Sequence, residues 1–166
     1  MKIARVVNNA VVETREGDLS LVPIHKRMYW RLVVEQPPVY SATIENVYAT
    51  GWQITDTEAI RQYTVTPIPR ERLIQRIKDE AQRRIIILCG AVDFNSCIVR
   101  QLNMLKRVGQ LNNKLAKRQT LTQDEETEAA KLEALAQSID HLRARSNELE
   151  ALDPIPADYA DDVRWA

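Results

Sequence analysis

The chain has 166 residues, 45% of them hydrophobic, and its 23 basic and 23 acidic side chains cancel to a formal net charge of zero. The hydrophobic content argues against wholesale disorder, and the zero net charge argues against a dedicated nucleic-acid binder, which usually carries a basic surplus. No window approaches the roughly 18 apolar residues that a membrane span needs, and residues 1–5 lack the apolar block of a signal peptide. We therefore expect a protein that stays in the cytoplasm where it is made, with no membrane partner.

The first 68 residues predict a small β-rich head. Residues 3–12 are β-branched and interrupted by Asn8 and Asn9, which suit a hairpin turn. Residues 29–35 form a third strand candidate, which ends at two consecutive prolines. Residues 48–55 and 59–65 alternate apolar and polar side chains, and that period of two indicates a half-buried antiparallel meander.

Helical patterning begins after Thr66, Pro67, Ile68 and Pro69, where extended backbone gives way to a helix start. Amphipathic helices are predicted over about residues 69–88, with Gly90 as the break, and over about residues 94–117. Thr122 and Glu125 form a capping box that opens a third helix, to about Leu149. The predicted fold is therefore α+β, with a head over residues 1–68, a helical arm that is a hairpin or coiled coil over residues 69–152, and an extended tail over residues 153–166.

The zero net charge hides a split within the arm. Residues 69–118 carry 12 basic and 4 acidic side chains, and residues 119–166 carry 4 basic and 12 acidic ones, for nets of +8 and −8. A short connection makes the second and third helices antiparallel neighbours, so their charges attract along their length. This pairing can lie within one chain, between protomers or with another protein. A nucleic-acid footprint is the remaining alternative, and its side chains would be Arg70, Arg72, Arg76, Arg83 and Arg84.

The third helix carries a heptad seam that is polar only at Ser146. The seam is a candidate partner interface, and the core of an internal hairpin is its alternative. Trp165, near the C-terminus, is a candidate anchor in a neighbour's groove, or else part of a frayed end. The candidate interface residues are Leu132, Leu135, Ile139, Leu142, Leu149 and Trp165.

No catalytic motif is present. The four glycines are scattered, so there is no phosphate-binding loop, and there is no nucleophile elbow. Neither His25 nor His141 lies at metal-ligand spacing to Cys89 or Cys97, and the two cysteines are expected to be buried, reduced thiols. We expect no catalytic residue, no cofactor, no metal site and no enzymatic activity.

Several short blocks resemble small virion proteins of tailed bacteriophages, encoded among the tail-fibre and baseplate genes. The blocks cover residues 29–40, 51–54 and 61–65 in the head, and residues 101–105, 121–125 and 139–150 in the arm. The resemblance implies a structural protein of the virion tail, assembled in the host bacterial cytoplasm, whose partners are other fibre or baseplate proteins. Together with the seam it leads us to expect a homo-oligomer, and a trimer would suit a fibre-like rod. A tail-fibre assembly chaperone absent from the mature virion is the first alternative, and a nucleic-acid-binding protein with a basic arm is the second.

Overall fold

Strands occupy the first part of the chain and helices the second, which confirms the α+β class with a β head and a helical C-terminal region. The computed structural model describes residues 1–166 and divides them into two units, Met1–Ile68 and Pro69–Ala166. Each unit is described by itself below.

The first unit is a five-stranded sheet in the order β2-β1-β3-β5-β4. The strands are β1 Lys2–Val7, β2 Ala10–Glu16, β3 Trp30–Val34, β4 Glu45–Ile54 and β5 Glu58–Pro67. Three of the neighbouring pairs are antiparallel, as expected, and β3 and β5 are parallel. The parallel pair arises because the chain leaves β3 for the far edge, forms β4 there, and returns as β5 between the two.

The turn between β1 and β2 lies where the sequence predicted it. Asn8 and Asn9 have φ angles of 49° and 58°, both in the left-handed region. Asparagine tolerates this region better than most residues, and two such residues in succession make the hairpin turn that matches the twist of paired strands.

The core of the head is small. Ile3, Val22 and Trp30 form its main buried cluster, and Leu19 and Leu32 pack on them. The Arg15 guanidinium lies 4.4 Å from the centroid of the Trp30 ring and covers its outer side. The segment between β2 and β3, which the sequence left unassigned, contains a 3-10 turn, Leu19–Leu21, and a one-turn helix, α1 Ile24–Arg27.

The second unit contains three long helices, α2 Arg70–Leu88, α3 Phe94–Ala116 and α4 Gln123–Ala151. Asp93 begins α3, where its side chain accepts a 2.7 Å hydrogen bond from the backbone N–H of Ser96. Thr122 begins α4 with the capping box that the sequence predicted. Gly90 ends α2 with a φ of +63°, so the predicted helix break is confirmed.

Both α2 and α3 run antiparallel to α4. Arg70, at the start of α2, donates a 2.7 Å hydrogen bond to the carbonyl of Glu150, at the end of α4. Lys114, near the end of α3, forms a 2.5 Å salt bridge with Glu125, near the start of α4. The predicted antiparallel pairing of the basic and acidic helices is therefore realised within one chain.

The tail over residues 153–166 was predicted to be extended, and this is corrected. It consists of turns and a short 3-10 helix, Asp162–Arg164, and it buries Ile155, Tyr159 and Trp165 in the helical unit. Pro154 and Pro156 suggested extended backbone from local signals alone, whereas the apolar side chains that follow supply the reason to fold back.

Candidate functional site

The predicted seam on α4 faces the interior of its own unit. Ile139 and Leu149 are only 3% and 2% exposed, and Leu132, Leu135 and Leu142 are half-buried. The seam is covered because α2 and α3 both pack on α4. The expectation that Ile139 and Leu149 contact a partner is therefore corrected. Both belong to the internal core of their own unit, which was the alternative interpretation.

Trp165 anchors its own tail and does not reach toward a neighbour. Its side chain is 4% exposed, and its Nε1 donates a 2.8 Å hydrogen bond to the carbonyl of Tyr159. The Arg84 guanidinium lies 5.1 Å from the ring centroid, and Arg145 donates a 2.8 Å hydrogen bond to the carbonyl of Arg164. The expectation that Trp165 inserts into a partner's groove is thus also corrected.

Helix α3 leaves an apolar stripe in solvent. Four large side chains follow one another at steps of four, four and three residues, which places them on one face of the helix. They are Phe94, Ile98, Leu102 and Leu105, with exposed fractions of 51%, 39%, 58% and 62%. We call them the α3 stripe. A neighbouring part of the same helix is covered, since Cys97 and Leu111 are buried. The apolar face of α3 is therefore wider than the part of it that the other helices of the unit cover.

A groove runs along α4, with α3 as its other wall and α2 as a third wall at one end, and Phe94, Ile98 and Leu105 of the α3 stripe line it. It consists of three hollows of about 430, 230 and 400 Å³ that share lining residues where they meet. Met104 and Leu105 join two of them on the α3 side, and Arg143 joins two on the α4 side. We call this feature the α3–α4 groove.

The α4 edge of the groove combines small and charged side chains. Ala129 and Ala136 line it at positions where a neighbour can approach closely, and Glu133 and Asp140 lie between and beyond them. The lining is mainly aliphatic where α3 faces α4, and it includes Lys78, Arg143 and Glu150 at the end next to α2, so the groove is suited chemically to an apolar surface with a polar margin.

Opposite charges flank the groove. Residues 94–118 carry six basic and no acidic side chains, and residues 123–140 carry six acidic and one basic. Within the chain, Arg107 binds Glu128 at 2.7 Å, and the hydrogen bond from Lys114 holds the pKa of Glu125 below its usual range. Lys106 and Glu133 form no salt bridge in the chain.

Side chains of the proposed nucleic-acid footprint make bonds within the protein. Arg83 and Arg84 both bind the carboxylate of Glu80, and these bonds lower the pKa of that carboxyl, the one from Arg83 having the largest effect. Arg70 is occupied by the end of α4, as described above. Internal pairing of this kind reduces the charge that a phosphate backbone would meet.

The two cysteines lie at the corner between α2 and α3. Both are free thiols, and the Gln101 amide nitrogen is 3.2 Å from the sulfur of Cys97 and 4.0 Å from that of Cys89. Burial raises the pKa of the Cys89 thiol, which favours its neutral form. No group of three or more His, Cys, Asp or Glu side chains is arranged to hold a metal ion.

Comparisons of the chain with protein families, with curated proteins and with solved structures found no match. No helix combines the length and the apolar character that crossing a membrane would require.

The predicted interface residues lie on α4 and at the tail, whereas the exposed apolar stripe lies on α3, which the sequence did not single out. The apolar positions of α3 indicate an amphipathic helix, but they do not state how many neighbours its apolar face needs. The signal was present, because Phe94, Ile98 and Leu102 diverge around the helix from Met104, Val108 and Leu111. An arc that wide calls for more than one packing partner.

Proposed function

We propose that this chain is a non-catalytic structural component of a phage tail, associated with the fibre or the baseplate, which joins protein partners through its β head and its helical arm. The α3–α4 groove is the observation that carries the joining role, since a partly aliphatic groove with an exposed apolar stripe along one wall is typical of a protein–protein contact. The phage context comes from the sequence resemblance in the head and the arm.

The head offers a separate surface for a second partner. Leu21, Ile24 and Met28 are all largely exposed, and they lie on the short segment that contains α1. Ile24 and Met28 are four residues apart and share one side of the turn. We propose that another tail protein binds this apolar segment.

Mass spectrometry of purified virions tests the proposal. We expect peptides of this chain in particles of the encoding phage after density-gradient purification, at a constant ratio to an abundant tail protein across gradient fractions. If the chain is abundant in infected cells but absent from the particles, the structural role is overturned and the assembly-chaperone role takes its place.

A variant links the head surface to incorporation. Ile24→Glu places a charge on an exposed side chain without disturbing the core, so the head should fold while incorporation into virions falls. Val39→Glu is the matched control, because Val39 is also an exposed aliphatic residue but lies in the loop before β4. Equal incorporation of the two variants would contradict the assignment of this surface.

A further inference from the structure

We infer that the α3–α4 groove is occupied by a second copy of this chain, so that the protein forms a two-fold dimer through paired α3–α4 hairpins. The inference rests on the proposed joining role of the groove and names its partner.

The hairpin presents complementary shapes side by side. The α3 stripe is a ridge of large apolar side chains along the α3 wall of the α3–α4 groove, and Ala129 and Ala136 lie on the opposite wall of this furrow. A two-fold axis between two hairpins puts the ridge of each copy into the furrow of the other. This is the self-complementary arrangement that closed dimers require. Two helical hairpins packed in this way make a four-helix bundle.

The spacing of the stripe fits helix-on-helix packing. Phe94, Ile98, Leu102 and Leu105 advance by four, four and three residues, close to the period at which side chains of one helix enter the spaces of another. Heptad spacing of this kind appears on α4 as the internal seam and on α3 as the exposed stripe. The first is already covered by the chain's own helices, whereas the second still lacks a neighbour.

Charge selects a second copy over other apolar partners. The groove is bordered by α3, whose charged side chains are all basic, and by α4, whose charged side chains are mainly acidic. A uniformly acidic partner is repelled by α4, and a uniformly basic one is repelled by α3. Another α3–α4 hairpin carries both signs side by side, and it can place its Lys106 toward Glu133, whereas Asp140 is already paired with Arg143 at 3.1 Å.

The available surface approaches the size that a dimer needs. Along α4 the groove extends from Ala129 to Asn147, which is roughly 27 Å at the rise of an α-helix. A face two helices wide is roughly 20 Å across, so the hairpin offers on the order of 500 Å² in projection and more in accessible area. A standard interface uses about 800 Å² per partner.

Sedimentation velocity and light scattering of the purified full-length chain test the inference. We expect a mass of about 38 kDa, twice the 19.1 kDa of one chain, at micromolar concentration. Leu102→Glu should weaken the association by roughly 100-fold, because the carboxylate enters the interface twice in each dimer. Ala136→Trp fills the furrow from the α4 side without adding charge, and it should shift the protein to monomer as well.

Ile87→Glu is the matched control. Ile87 is 61% exposed, almost the same as Leu102 and Leu105, but it lies on α2 and outside the groove lining. The Ile87→Glu variant should dimerise like the unmodified chain. Far-ultraviolet circular dichroism checks that the helices persist in every variant. A monomeric or trimeric unmodified chain overturns the inference, as does equal weakening by Ile87→Glu and Leu102→Glu.

The outcome is separable from that of the virion experiment. A dimer that is absent from particles leaves the groove assignment in place and removes the structural role. A monomer that is present in particles leaves the structural role in place and gives the groove to another tail protein.

Discussion

Thr122 and Glu125 fix the start of α4 by exchanging hydrogen bonds. The Thr122 hydroxyl accepts from the backbone N–H of Glu125 at 3.3 Å, and the Glu125 carboxylate accepts from the backbone N–H of Thr122 at 3.2 Å. These bonds satisfy two of the donors that every helix start leaves unpaired. Thr122→Ala should lower the free energy of unfolding by about 1 kcal/mol, measured by urea denaturation followed by circular dichroism.

Thr127 supplies the control for that substitution. It lies one turn further into α4, and its hydroxyl donates to the carbonyl of Gln123, which already belongs to the helix. Thr127→Ala removes a hydroxyl of the same kind but replaces it with a better helix former, so stability should stay the same or rise slightly. An equal loss in both variants would show that Thr122 does not act as a cap.

Glu125 also makes stability depend on pH. Its pKa is lowered, chiefly by the hydrogen bond from Lys114 and then by the backbone N–H of Thr122. A carboxyl whose pKa is lower in the folded state stabilises that state above its ordinary pKa of 4.5, and the contribution is lost as the pH falls through the folded value. The unfolding free energy of the chain should therefore decrease below about pH 4.5, and the difference from Glu125→Gln should shrink there. Glu126 is an exposed neighbour without a salt bridge, so the Glu126→Gln variant should show the same decrease in unfolding free energy below about pH 4.5 as the unmodified chain.

The connection between α2 and α3 depends on one glycine. Gly90 has a φ of +63°, and a Cβ built there would lie 2.9 Å from a guanidinium nitrogen of Arg100. That guanidinium donates a 2.8 Å hydrogen bond to the carbonyl of Cys89, which ties the first turns of α3 to the end of α2. Gly90→Ala should lower the free energy of unfolding by roughly 1–2 kcal/mol, because the left-handed conformation is strained for any residue with a Cβ.

Gly109 distinguishes this conformational effect from a general effect of glycine. It lies inside α3, and an added Cβ would meet nothing within 4 Å. Gly109→Ala should therefore raise the unfolding free energy by about 0.5–1 kcal/mol, since alanine loses less backbone entropy in a helix. Thermal unfolding of the two variants should give midpoints on opposite sides of the unmodified chain, and shifts in the same direction would contradict this reading of Gly90.

Elements with local signals could be predicted from the sequence. The turn at Asn8 and Asn9, the break at Gly90 and the start of α4 each depend on the conformational preferences of one or two residues. The parallel pairing of β3 with β5 could not be predicted, because it depends on which strand reaches the vacant edge of β3. The fold of the tail was missed for the same reason, since the Trp165 ring contacts the Arg84 guanidinium, which is distant in sequence.

Across the whole arm, the charge split orients the helices. Salt bridges join the two charge segments at Lys78–Glu150, Arg84–Asp162, Arg107–Glu128 and Lys114–Glu125. Exposed pairs of this kind are each worth only about 0–1 kcal/mol, so they add little to stability. Their distribution nevertheless penalises any register in which like charges meet, and this made the antiparallel pairing predictable. The exposed α3 stripe was not predictable in the same way, because charge does not reveal how much of an apolar face its neighbours cover.

The helical unit should fold without the head, because its core is built from its own residues. Ile77, Cys97, Leu111, Ile139 and Leu149 are buried within residues 69–166, and Tyr159 and Trp165 from the tail complete the core. A fragment of residues 69–166 should show helical circular dichroism and a cooperative thermal transition.

The tail should contribute much of that stability. A fragment of residues 69–152 lacks Ile155, Tyr159 and Trp165, which are 5%, 5% and 4% exposed. Removing buried side chains of this size costs several kcal/mol, so the shorter fragment should melt far earlier or remain unfolded. If the two fragments unfold at the same temperature, the tail is not part of the folded unit. If only the full chain unfolds cooperatively, the helical unit depends on the head. If the fragment 69–166 folds and the fragment 69–152 does not, the basic and acidic segments pair correctly without the head but need the tail to complete their core.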